Sequence, residues 1–434
     1  MKTKLLIVTL ILLSSFIRGQ EVIMLTKSEV VSKVKENSNT LKISQQDVLA
    51  AKGDFQQTNA VFLPNITASH TGFSTTNPLM AFGSKLNQEI LTQNDFNPSL
   101  LNNPTKTQNF ATKLEIQQPL INLDGFYKRK AAKSKMNAVS LKTERIQDYL
   151  LFEVEKSYMQ LQLAYTAVEV LEKALEAANA NKKIADNNFK QGLLQRTDVL
   201  NVEVRVTEVK NQLQTAKSNV QNASNYISFL MNDENYVVYK PTESLTVLSF
   251  KVGKKIISEN RPDIKAMQLA SNGYEALNKA DKMAFLPRLN AFGSYEIYDS
   301  KVFQGNANGY LIGAQISWDL FQGSKRFGKA QKSKAEFEKS KLAYTQYVSK
   351  SNLELNKVKR QLLDAKNRLN LTVLAVQQSK ESLRICKNRF REGLEKTSDL
   401  LMAETQFAQK QLEHFQTIFE HNFTQIYLEF ITKE

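Results

Sequence analysis

The chain has 434 residues, 42% hydrophobic and 23% charged, with only 8 prolines and 15 glycines; that composition excludes a disordered chain. A single cysteine, Cys386, excludes an intrachain disulfide and, lying far from the N-terminus, lipid attachment there; no internal run nears the ~20 apolar residues of a membrane-spanning helix. The net charge of +15 admits nucleic acid as a partner, but the basic residues run along helix-compatible stretches among Glu and Gln and form no compact patch, so solvated helix faces are expected and nucleic acid is not.

In chain order, the first feature is an export signal over residues 1–19. Lys2 and Lys4 precede an apolar run over 5–13 broken only by Thr9, and Gly19 is the expected cleavage point, with Gln20 the first mature residue. A short segment, 20–36, leads into a helix-compatible stretch over 37–60, closed by Phe62-Leu63-Pro64. Strand patterns then alternate apolar and polar residues: a weakly apolar one over 65–73, a clear one through Phe110, Thr112, Leu114 and Ile116. Between them, 76–107 is rich in Asn, Pro, Thr and Ser and reads as a long loop.

From Pro119 to Pro241 there is no proline, and between Gly125 and Gly253 the only glycine is Gly192. A helix over roughly 124–188 and a second over 197–230 follow, about 100 and 50 Å long at about 1.5 Å per residue. Leu151, Val154, Tyr158, Leu161, Tyr165 and Val168 step by threes and fours, the spacing of a coiled-coil seam. After a linker over 232–259 the pattern returns: a helix over 260–284, strands through Leu289–Ile297 and Tyr310–Trp318 joined by a short loop, then helices over 324–389 and 398–431 interrupted by Gly393.

This recurrence is an internal repeat, 37–231 and 260–434. Phe62-Leu63-Pro64-Asn65 returns as Phe285-Leu286-Pro287-Arg288, and Pro119-Leu120-Ile121 lines up with Asp319-Leu320-Phe321. Phe189-Lys190-Gln191-Gly192-Leu193 matches Phe390-Arg391-Glu392-Gly393-Leu394, and Thr197-Asp198-Val199-Leu200 matches Ser398-Asp399-Leu400-Leu401. The fold class expected is mainly α with a small β part: long antiparallel coiled-coil helices and four strands per chain. Four strands cannot close a barrel, and open sheet edges cannot stand in lipid; either the strands coat a soluble core, or several chains share one barrel, which suits the long helices and the export signal better.

These pieces together resemble the TolC-like outer membrane efflux protein family. The resemblance rests on Leu25-Thr26 with Glu29 and Asn37, Phe62-Leu63-Pro64, Gln118-Pro119-Leu120, Arg261-Pro262-Asp263 and the two Phe-x-x-Gly-Leu turns. It implies a homotrimer whose strands close a transmembrane β-barrel in outer-membrane lipid and whose helices form an α-barrel through the periplasm. It further implies a periplasmic adaptor (membrane fusion) protein and an inner-membrane pump as partners, with 76–107 outside the cell. The function implied is passive exit of drugs or other small compounds. The duct of a type I protein secretion system shares the architecture, and a secreted coiled-coil scaffold is a more distant alternative.

By the same resemblance, Gly192, Leu193, Leu194, Gly393 and Leu394 form an adaptor-docking tip; from the residues alone, plain helix-hairpin chemistry is an equal reading. Asp198 and Asp399, with Thr197 and Ser398, suit helix capping. The resemblance adds a periplasmic gate in which symmetry turns each aspartate into a ring, together with Arg196 and Glu395. Glu395 stands where the family carries an arginine, and Arg196 is placed to pair with Glu395, Asp198 or Asp399. Neither a phosphate loop, a nucleophile elbow nor paired catalytic carboxylates occur. His70, His414 and His421 lie apart from any cysteine–carboxylate cluster, so no catalytic residue, metal site or cofactor is expected.

Overall fold

A computed structural model describes residues 22–234, 237–249 and 256–434. The expected export signal and Gln20 lie outside them, as does Gly253. The chain divides into two units: one comprises residues up to Gln46, Leu141–Ile264 and Gln346–Glu434, the other Asp47–Ser140 and Lys265–Thr345.

In the first unit, strand β1 (Val22–Leu25) enters helix α1 (Lys27–Asn37), and α2 (Asn39–Gln57) follows. Thr26 and Glu29 form a capping box: Thr26 N donates to Glu29 Oε2 at 2.8 Å and Glu29 N to Thr26 Oγ1 at 3.2 Å, satisfying two otherwise orphaned helix-start donors. The long helices are α5 (Leu123–Lys190), α6 (Arg196–Met231), α8 (Lys325–Arg391) and α9 (Thr397–Thr432), each within three residues of where proline and glycine spacing puts it. β1 pairs in parallel with β4 (Val238–Pro241), Val22 opposite Val238. Four-residue strands carry too little periodicity for this pairing to be read from residue order.

The spacing of threes and fours has its expected consequence. Val154, Tyr158 and Leu161 of α5 are buried against Val30, Val34, Ile227, Met231 and Tyr239, and the Tyr158 hydroxyl donates to the Leu25 carbonyl at 3.0 Å. A second cluster is aromatic: Phe419, Phe423 and Tyr427, four apart on one face of α9, pack with Phe430 around Phe152.

The C-terminal end of α9 is held by two arginines. Arg145 donates to the Phe430 carbonyl at 2.9 Å and Arg261 to that of Ile431 at 2.8 Å, placing cations at the negative end of a helix whose last carbonyls lack intrahelical partners. The Arg145 guanidinium also lies 3.7 Å from the Phe430 ring centroid. Arg261, just before α7 (Pro262–Met283), grips Asp263 through two hydrogen bonds of 2.7 and 2.9 Å and reaches Ser351 at 2.9 Å. Burial opposes the Asp263 charge, but Arg261 and the Tyr347 hydroxyl hold its carboxyl below the usual range.

The second unit contains one antiparallel sheet in the order β2-β3-β5-β6: β2 Asn65–Thr75, β3 Thr107–Ile121, β5 Arg288–Asp299 and β6 Ala307–Ser317. Opposed residues place Ile66, Ile116, Gly293 and Ile312 in one cross-strand row and Ala68, Leu114, Tyr295 and Tyr310 in the next. The other face carries Ser69, Lys113, Glu296 and Gly309 in register, with Lys113 ion-paired to both Glu115 and Glu296. One face is therefore apolar and the other polar, and the exposed apolar residues include Ile312 and Ile316. At two directly opposed pairs, Gly72 with Phe110 and Gly313 with Phe292, the ring lies where a Cβ would stand. Trp318, just past β6, donates to the Phe285 carbonyl at 2.9 Å. Among the described residues no helix is long and apolar enough to cross a membrane.

Between β2 and β3 the expected loop contains two short helices, α3 (Pro78–Asn87) and α4 (Pro98–Asn102). Both begin with Asn-Pro: the asparagine side chain accepts a backbone N–H (from Met80 and Ser99) and the proline takes the first helical position, as helix-start chemistry requires. Gln88, at the end of α3, donates to the Gln108 carbonyl and Asn109 Oδ1, both at 2.8 Å.

Arg261→Ala leaves Asp263 with Arg145 as its one nearby cation and removes the Arg261 donor from the Ile431 carbonyl. It should cost about 3–5 kcal/mol, seen as a lowered melting temperature of the detergent-solubilised protein by circular dichroism. Because the folded Asp263 pKa is depressed, its contribution is present at neutral pH and lost as pH falls below the ordinary carboxylate range. The stability difference between the original and variant proteins should therefore narrow in acid.

Candidate functional site at the two helix turns

The turns joining α5 to α6 and α8 to α9 are built alike. In the first, Gly192 has φ +76, its N–H donates to the Phe189 carbonyl at 2.9 Å, and Leu193 N donates to Asn188 O at 2.8 Å. In the second, Gly393 has φ +70, Gly393 N donates to Phe390 O at 3.1 Å, and Leu394 N to Arg389 O at 2.9 Å. This pair of bonds with a left-handed residue is the Schellman ending of a helix, which glycine adopts without the steric cost of a Cβ. Each turn leaves one leucine in solvent: Leu193 is 70% exposed and Leu394 66%. Leu194 is half-buried.

The following helices start differently. Asp198 accepts from the backbone N–H of Gln195 at 3.1 Å, capping the start of α6. Asp399 has no such bond among the described residues; Ser398 Oγ donates to it at 3.3 Å. Thr197 is exposed and its hydroxyl lies 3.5 Å from Gln195 Oε1, whereas Thr397 is buried.

The pairing expected of Arg196 is corrected. Glu395 is taken by Arg389, whose Nε donates to Oε2 at 2.8 Å and whose Nη2 reaches the Leu394 carbonyl at 3.4 Å. Arg196 makes no ion pair among the described residues. The physical reason is proximity along the chain: Arg389 sits on the last turn of α8, directly beneath the loop carrying Glu395. The signal was a base six residues before an acid across a glycine.

Two links behind the turns were not anticipated. Lys182 of α5 bridges Asp186 at 3.0 Å and Glu203 of α6 at 3.2 Å. Deeper in the seam, Asn181 of α5 donates to the buried carboxyl of Glu404 on α9, among Ala178, Ala185, Val202 and Ala403. Arg205 of α6 is also buried, and its Nε lacks a hydrogen-bond partner. Polar residues interrupting an alanine-rich seam were the available signal. Burial pushes the Glu404 carboxyl above its usual range, the Asn181 hydrogen bond and the charges of Arg205 and Lys387 offsetting only part.

A raised folded pKa stabilises at low pH, and the contribution fades as pH rises through that pKa. Amide-exchange protection near Asn181 and Glu404, corrected for intrinsic rates, should therefore be greater at pH 5 than at pH 8. In Glu404→Gln, which cannot ionise, that difference should disappear.

The sequence matches the family described as outer membrane efflux protein over residues 30–233 and 255–417. No curated protein matches it significantly. Among solved structures, the CmeC outer membrane channel of Campylobacter jejuni is 18% identical, with a TM-score of 0.82 over 94% of this chain and 85% of that one. The outer membrane protein VceC of Vibrio cholerae is 17% identical, with a TM-score of 0.79 over 93% and 95%. The MtrE outer membrane channel of Neisseria gonorrhoeae, in its open state, is 15% identical, with a TM-score of 0.78 over 94% and 88%. These likenesses establish a shared fold, and the match along most of the sequence establishes kinship: the chain belongs to the outer membrane efflux protein family.

Proposed function

We propose that this outer-membrane efflux protein is the exit duct of a tripartite system, releasing small compounds passively and performing no chemistry on them. The observation that carries the reading is the sheet. It has one apolar and one polar face over strands of 11 to 15 residues, the dimensions and alternation of a membrane barrel wall, in a chain whose remaining length is duplicated helical hairpins.

Four strands with open outer edges require further strands in lipid, and a symmetric homotrimer supplies them. The segment 76–107 then lies on the extracellular side, where its first short helix, α3, is tied to the start of β3 through Gln88. The helices continue into the periplasm, and the paired Schellman turns present Leu193 and Leu394 as apolar knobs to a periplasmic adaptor, with Gly192, Leu194 and Gly393 setting the turn. The inner-membrane pump supplies the energy.

Asp198 and Asp399, with Arg196, Thr197, Glu395 and Ser398 around them, form the gate in this reading. An acidic ring at a constriction favours cations. The Asp198 cap and the Arg389–Glu395 pair are compatible with it, since each fixes a turn without consuming Asp399.

Planar-bilayer recordings of the detergent-purified protein should show a small, cation-selective conductance. The Asp198→Ala/Asp399→Ala variant should conduct more or lose its selectivity. Protein that stays soluble without detergent would overturn the barrel, and an unchanged conductance and selectivity in the variant would remove these aspartates from the gate.

A further inference from the structure

The two hairpins of the sheet are closed by very different means. Asp299 ends β5, and its carboxylate accepts the backbone N–H groups of Gln304 at 3.1 Å and Asn306 at 2.9 Å, so residues 300–306 suffice to reach β6. The equivalent connection from β2 to β3 runs over 76–106 and carries structure of its own. Lys85 of α3 is ion-paired to Asp95 at 2.6 Å, Asp95 accepts the Thr92 backbone N–H at 2.8 Å, and the Phe82 and Phe96 rings meet edge to face at 5.7 Å. Closing a hairpin requires none of this, so the insert serves something else.

Alternation along β3 fixes which side of the sheet the insert covers. Thr107 and Asn109 fall on the same face as Lys113 and Glu115, the polar one, and Gln108 falls on the other. Thr107 and Asn109 are only 6% and 5% exposed, whereas Gln108 stands in solvent. Their cover is α3. Gln88 donates to Asn109 Oδ1, and Ala81, Ser84 and Gln88, spaced by three and four, are the buried side of that helix and its end. Helix α3 therefore lies over the polar face, the one a membrane barrel turns to its lumen. The opposite side of α3 carries Leu79 and Leu86, two turns apart and 81% and 55% exposed. The four charges of the insert, on Lys85, Glu89, Asp95 and Lys106, sum to zero, and Lys85 and Asp95 neutralise each other directly. What α3 holds away from the wall is thus apolar surface.

We propose that the insert is an inward-folded exit constriction, in which symmetry-related copies of Leu79 and Leu86 ring the duct with apolar side chains. The proposal rests on the duct reading and names the class of compound the exit favours: small molecules with apolar surface. A ring of leucines sheds water and so resists hydrated ions, while a solute that covers the leucines takes apolar area out of water on both sides of the contact. Lys113, Glu115 and Glu296 lie nearer the helices on the same face, so a departing compound passes a hydrated wall before it meets the leucines. This constriction differs in kind from the acidic one at the helix turns. There the discrimination is by charge, and here it is by hydration.

Two measurements test it. Nitroxide labels are placed on the full-length protein in detergent, in a Cys386→Ser background, at Leu86→Cys or at Gln108→Cys. Distances between copies should be shorter for the label on α3 than for the label on the outer face of β3. Equal or longer distances at Leu86 put the insert outside the lumen and overturn the proposal; no coupling between copies at either site overturns the duct reading beneath it. In planar bilayers, Leu79→Ser/Leu86→Ser combined with Asp198→Ala/Asp399→Ala should raise the ion conductance roughly twofold or more over the aspartate variant alone, with ion selectivity unchanged. The uncharged amphiphile naphthol, added on the extracellular side, should reduce the current of the aspartate variant and act at least tenfold more weakly on the combined one. Conductance and block that are indifferent to the leucine changes overturn the constriction and leave the duct standing.

Discussion

An open antiparallel sheet has two outer strands whose backbone groups lack neighbours, and in lipid that lack dominates everything else. Here those strands are β2 and β6. Each unsatisfied N–H or C=O costs several kcal/mol in hydrocarbon, far more than any side-chain contact on the apolar face returns. The sheet therefore sets the terms for the rest of the molecule: it calls for other strands, and a shared barrel calls for copies related by symmetry. The long helices must then be compatible with such an assembly; their burial is confined to seams, and leucines of α8 such as Leu353 and Leu371 stay exposed.

Much of this was legible in the sequence because it is periodic. The sparse prolines and glycines delimit helices of 68, 36, 67 and 36 residues, and steps of three and four along α5 named Val154, Tyr158 and Leu161 as core. The strands were readable from alternation, even the weakly apolar β2, since its Ile66 and Ala68 still fall on the apolar face. What stayed hidden was aperiodic. The β1–β4 pair is too short to show a pattern. The helices α3 and α4 announce themselves only through Asn-Pro at 77–78 and 97–98, a signal masked by the loop-like composition around it.

The turns divide in the same way. Their glycines and exposed leucines could be read from the repeat, and the left-handed geometry at Gly192 and Gly393 is the reason the repeat kept that residue type in both places. The ion pair of Arg389 with Glu395 could not, because spacing alone offered Arg196 an equal claim. Only the direction in which the last turn of α8 points its side chains decides between them. The Asn181–Glu404 link joins residues 223 apart, and no local pattern reports a contact of that range.

The duplication is not a copy in every respect. Asp198 closes the start of its helix by accepting a backbone N–H, while Asp399, at the equivalent place, takes only a long hydrogen bond from Ser398. Loss of a helix cap costs typically ~1 kcal/mol, so position 198 is tied to folding whatever else it does. Position 399 lacks that backbone bond and keeps only the weaker attraction of the helix N-terminus. Under random mutation the second repeat would drift away from its carboxylate more freely than the first, and any evolutionary pressure from ion handling would be more readable at 399, where folding masks it less.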